Sequence, residues 1–191
     1  MIEVRPGGRR RIDRVLAADY ARDLETMPLP TLRERRDEAA QEETDLSYLR
    51  RLLHARIDIV RAEQQRRQSG GATSIVEQLT TILAENALGP AMGSGRHQTL
   101  EPSRAGEYRR KAEELLGDAD LSDVSSLTEE RLRVTLRTLR DHESSVSSRR
   151  RQVQAVVDAF NAEIAKRYAQ GTASVDELLA SQRGGDEADD G

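Results

Sequence analysis

From Leu32 to Gln68, and again from Leu127 to Gln170, the chain contains neither proline nor glycine. Stretches of this length without a breaker, rich in Leu, Ala, Arg and Glu, read as continuous helices of roughly ten turns each. Each also returns an apolar residue at every seventh position. The first stretch has Leu32, Ala39, Leu46, Leu53 and Val60, and the second has Leu132, Leu139, Val146, Val153 and Phe160. A heptad seam is buried only against another helix, so such a chain packs its helices lengthwise. Composition points the same way. Charged residues make up 34% and aromatics 3%, with one Phe and no Trp, too little bulky apolar material for a large globular core. The expected fold is all-α: two long helices forming an antiparallel coiled coil, joined by a linker with short helices.

The remaining segments fall around this pair. Residues 1–30 form an N-terminal segment with a short amphipathic helix from Ile12 to about Leu24, set by Ile12, Val15, Leu16 and Tyr20. "MPLP" at 27–30 ends it, and Thr31 with Glu34 has capping-box spacing for the next helix. The coiled-coil domain spans 31–170, with long helices at 32–68 and 127–170 and a linker at 69–126. Within the linker, Ser-Gly-Gly at 69–71 breaks the first helix, Ile75 to Asn86 makes a short amphipathic one, 89–103 is loop-like, and Glu107 to Leu116 is helical again. Residues 171–191 are expected to be an acidic, disordered tail after a short turn at Val175–Ala180.

Several function classes drop out. A formal net charge of −4 argues against direct DNA binding. The absence of cysteine removes disulfides, thiolate metal sites and a Cys nucleophile. No apolar run reaches the ~18 residues of a membrane span, and the basic N-terminus lacks an apolar region after it, so a cytoplasmic protein is expected. His97 and His142 have no metal-site spacing, and no metal is expected. No catalytic arrangement stands out, so the chain reads as a binder and not an enzyme.

The two long segments also repeat. A shift of 100 residues superimposes Leu32, Arg33, Glu43, Ser47, Arg50, Arg51, Ala55, Asp58, Ala62, Glu63 and Arg67 on identical residues. A second heptad line runs Arg36, Glu43, Arg50, Ile57 in one helix and Leu136, Glu143, Arg150, Val157, Ile164 in the other. Glu and Arg therefore stand in the same two seam slots of both helices. The full polar set is Glu43, Ser47, Arg50, His54 and Asp58, repeated as Glu143, Ser147, Arg150, Gln154 and Asp158. Those five positions fan over only about 80° along roughly 22 Å of helix, which makes one stripe beside the seam.

Polar seam residues can serve only to set helix register, and a structural coiled-coil adaptor is the alternative reading. Two copies with one spacing favour a ligand. In an antiparallel pair the central arginines Arg50 and Arg150 come close and need acceptors, while each Glu approaches the other helix's Asp and needs donors. A ligand with anions at its centre and donors at its edges meets both demands. Cyclic di-GMP has that layout, its guanines offering N–H donors to carboxylates and its phosphates suiting Arg. A nucleotide hydrolase, a third reading, would need metal ligands that the chain does not supply.

At these residues the chain resembles the RsiG-type anti-sigma factors of sporulating actinobacteria, often labelled aerial mycelium formation proteins. Their signature is E-x3-S-x2-R-x3-Q-x3-D on each of two antiparallel coiled-coil helices. The second copy here matches throughout, and the first departs only at His54, whose protonation would tie binding to pH. "GRRRIDRVLAADY" and "LSYLRRLL" extend the resemblance over most of the chain outside the tail. The resemblance implies that the ten stripe residues bind cyclic di-GMP, two molecules per chain held between the helices. It also implies that the liganded protein sequesters a flagellar/sporulation-type sigma factor from RNA polymerase.

Overall fold

The computed structural model describes residues 3–70, 103 and 121–171. The short helices expected within 75–86 and 107–116, the loop at 89–103 apart from Ser103, and the tail beyond 171 lie outside the described residues. The described elements are α1 (Arg11–Val15), a 3₁₀ turn at Leu24–Thr26, α2 (Leu29–Gln68), a second 3₁₀ turn at Leu121–Ser126, and α3 (Glu129–Ala169). The protein is all-α, with no strand among the described residues. Nor is any described helix long and apolar enough to cross a membrane.

The long helices begin by different means. Helix α3 starts after Thr128, whose hydroxyl accepts the Arg131 amide at 3.2 Å as an N-cap does. Helix α2 starts at Leu29, and the Leu32 amide already donates to the Pro28 carbonyl at 3.0 Å. Thr31 is therefore inside the helix and does not cap it, contrary to the capping-box expectation. Pro30 is tolerated there because a first-turn residue has no intrahelical use for its N–H. Both helices stop at left-handed glycines, Gly70 (φ 73°) and Gly171 (φ 68°).

The first helix is shorter than its periodicity suggests, ending at Val15 instead of near Leu24. Tertiary contacts override the local pattern. The Tyr20 hydroxyl donates within hydrogen-bond reach of the Arg35 carbonyl (2.8 Å) and the Glu38 carboxylate (2.9 Å). Its ring meets Phe160 edge-on at 5.8 Å. Asp13 is buried and accepts from the Arg5 amide (2.8 Å) and the Arg10 guanidinium (2.8 and 2.6 Å).

The chain divides into two compact units, and both long helices run through both. The first comprises Gln41–Arg151 with Met1–Glu3, and the second comprises Val4–Ala40 with Gln152–Gly191. In the first unit Leu46, Leu53 and Val60 of α2 are buried with Leu132, Leu139 and Val146 of α3. The end of α2 lies beside the start of α3, so the pair is antiparallel: Arg67 donates to the Ser125 and Leu127 carbonyls at 3.0 and 2.7 Å. In the second unit Leu32 and Ala39 are buried with Val153 and Phe160. There the start of α2 meets the end of α3, the Arg33 guanidinium donating to the Tyr168 hydroxyl.

Helix α2 has a second buried face that the heptad did not announce. Glu42, Asp45 and Leu49 are all at most 1% exposed, about 40–100° of rotation away from Leu46. The Ser103 hydroxyl donates to Asp45 at 2.7 Å, so linker residue Ser103 reaches this face.

Candidate functional site

Each copy of the stripe is organised first within its own helix. Residues four apart share a helix face, and the E-x3-S spacing uses this identically in both copies. The Ser47 hydroxyl donates to Glu43 at 2.9 Å, and the Ser147 hydroxyl donates to Glu143 at 2.6 Å. The serines aim the carboxylates. One turn on, Arg50 lies against His54, with Nη1 and Nε2 3.4 Å apart, and Asp58 pairs with Arg61 at 3.3 Å.

Across the helices, the first unit brings two carboxylates to two bases. Arg150 donates to Glu43 at 2.9 Å, and His54 Nε2 lies 3.1 Å from Glu143. Each Glu thus finds a base on the opposite helix. The sequence pattern predicts an Asp facing each Glu, and for Glu143 the facing residue is His54 instead. The reason is register. The antiparallel pair sets Glu43 level with Arg150, so these two groups meet without any added anion.

These pairs are partly open to solvent. Glu43 and Arg150 side chains are 28% and 25% exposed, His54 and Glu143 38% and 22%. Exposed or half-exposed ion pairs contribute about 0–1 kcal/mol, because water competes for the same charges. Such contacts hold the seam shut weakly and exchange readily for a better partner. The Nε atoms of Arg50 and Arg150 are both shielded from solvent, and neither makes a hydrogen bond to a described residue, so each half of the stripe holds one unspent donor.

Eight of the ten stripe residues stand in the first unit. Gln154 and Asp158 belong to the second, on the exposed face of α3. Among the described residues no group of acidic or histidine side chains is arranged to hold a metal.

The repeat also contains a structural device that motif reading missed. Glu63, fully buried, accepts from Arg66 (2.8 and 2.9 Å) and Arg67 (2.6 Å). Arg67 in turn holds the carbonyls at the end of the 3₁₀ turn before α3. In the second unit Glu163 accepts from Arg167 at 2.9 Å, and Arg167 holds the Met27 and Leu24 carbonyls, each at 2.7 Å, before α2. The signal was present: Glu63 and Arg67 are among the residues identical after the 100-residue shift. Those identities therefore serve two purposes, a polar stripe in mid-helix and an Arg clamp at each helix C-terminus.

A sequence model described as RsiG-like matches residues 18–83 and 118–182, one long helix and one stripe copy in each region. The chain belongs to the RsiG-like family. Members of the RsiG-like family are anti-sigma factors, so this protein is regulatory and its partner class is a sigma factor. No curated protein matches the chain.

Proposed function

We propose that this RsiG-like protein binds cyclic di-GMP between its two long helices and, in that state, sequesters a flagellar/sporulation-type sigma factor. The observation that carries the reading is the stripe itself: two Glu-Ser-Arg sets on facing helices, half-buried, held by exchangeable pairs in place of apolar packing. A seam built for stability alone would fill those slots with Leu or Val, since a buried ion pair seldom outperforms apolar packing.

The residues suit the ligand's chemistry. Arg50 and Arg150 offer bidentate donors to phosphates. Glu43 and Glu143, aimed by their serines, offer acceptors to guanine N–H groups. Asp58, His54, Gln154 and Asp158 extend the polar surface along each helix. Two molecules per chain would place phosphate at each Arg and guanine at each Glu. Binding exchanges Glu43–Arg150 and His54–Glu143 contacts for ligand contacts, which alters the spacing of the helices where the stripe lies. If the sigma factor recognises only that liganded spacing, the two affinities are linked and the linkage is reciprocal.

The test is the affinity of a flagellar-type sigma factor for this protein with and without cyclic di-GMP. Tightening of tenfold or more with nucleotide is expected. Equal affinity in both conditions contradicts the coupling. The second reading, a structural adaptor, draws on the Glu43–Arg150 pair already made without ligand; it predicts that Arg150→Ala changes stability and leaves every binding measurement unaffected.

A further inference from the structure

We infer that the two halves of the stripe are unequal anion sites, with Arg50 open and Arg150 closed, and that His54 makes them so. The inference rests on reading the stripe as a ligand site, and it concerns the order in which that site fills.

Exchanging the two copies of the repeat carries the Glu43–Arg150 pair onto Glu143–Arg50. The first pair is made, at 2.9 Å. Its counterpart is not. Glu143 is instead engaged by Ser147 at 2.6 Å and by His54 at 3.1 Å. No carboxylate among the described residues lies within the 4.0 Å of an ion pair from Arg50. Its Nη1 lies 3.4 Å from His54 Nε2, and its shielded Nε, like that of Arg150, makes no hydrogen bond to a described residue, so the two halves differ in the ion pair alone.

The cause is the one stripe position at which the copies differ. Residue 54 is His and residue 154 is Gln. The imidazole stands between Arg50 and Glu143 and takes the carboxylate with a single ring nitrogen. A phosphate approaching Arg50 displaces no carboxylate from it, whereas one approaching Arg150 competes with Glu43. The half containing Arg50 therefore fills first, and the second anion arrives only as Glu43 lets go.

Arginine Nε–Hε resonances, assigned with Arg50→Lys and Arg150→Lys, read each half separately in titrations with inorganic phosphate and with cyclic di-GMP. Arg50 is expected to respond at about fivefold lower phosphate than Arg150, the factor set by one partly exposed ion pair. His54→Ala frees Glu143 to close on Arg50 and should bring the two midpoints together. Glu43→Gln should open Arg150 and do so from the other side. Arg50 responding first to phosphate, with no change at either resonance on adding cyclic di-GMP, keeps the inequality and rejects the nucleotide reading. Both arginines responding together, whatever occupies position 54, rejects the inequality and leaves the nucleotide reading intact. Silence at Arg50 in phosphate also overturns the inference.

Discussion

At the scale of residues, the same side chains serve different ends by where their helix puts them. Arg150 faces a carboxylate in the seam, and Arg167 faces backbone carbonyls at a helix end. Removing Arg167 strands the Met27 and Leu24 carbonyls and leaves Glu163 without its main donor. Arg167→Ala should then lower unfolding free energy by about 1–3 kcal/mol in urea titration, the cost of unmet polar groups. Asp13 behaves as an anchored carboxylate. Hydrogen bonding from Arg10, and then from the Arg5 amide, holds its pKa below the ordinary carboxylate range. A depressed folded-state pKa stabilises above the unfolded value and loses that contribution as pH falls through the folded one. Asp13→Asn should accordingly reduce thermal stability at neutral pH, and its deficit against the wild type should shrink as the solution becomes strongly acidic. A deficit independent of pH would assign the loss to shape and not to charge.

At the scale of elements, the heptad made α2 and α3 legible nearly to the residue, because long breaker-free helices leave few alternatives. The first seam line is buried throughout, and Leu53 has 0% exposure. Leu53→Ala should cost about 2–5 kcal/mol by denaturation, the range for a buried Leu leaving a cavity. Val157→Ala, on the half-buried second line, should cost less. What escaped the sequence lay off the seam. Glu42, Asp45 and Leu49 occupy a second buried face, and a carboxylate in a helix pattern reads as solvated until a packing partner is known. The short α1 escaped too, since the pull of Tyr20 toward Arg35, Glu38 and Phe160 is a tertiary effect invisible to local periodicity. In the stripe, the residue set was readable but the partners were not. A shift of about one turn decides whether Glu143 meets Asp58 or His54, and heptad spacing does not determine that shift.

At the scale of the whole molecule, a duplicated helix holds charge in its seam where apolar residues would pack better. Replacing the pair by leucines, Glu43→Leu with Arg150→Leu, should therefore raise the melting temperature while abolishing nucleotide binding. A fall in melting temperature would make the pair a structural necessity. Nucleotide acting through the stripe should also stabilise the native chain, by about 2.7 kcal/mol at a ligand concentration of 100 Kd. Calorimetric titration of cyclic di-GMP into the full chain, beside Arg150→Ala checked for folding by circular dichroism, separates a ligand site from a register-setting seam. A cyclic di-GMP site in the stripe predicts saturable binding of two nucleotides per chain in the wild type, weakened at least tenfold in the folded variant. Binding left unchanged by Arg150→Ala, or no binding to the wild type with or without the sigma factor, would contradict it.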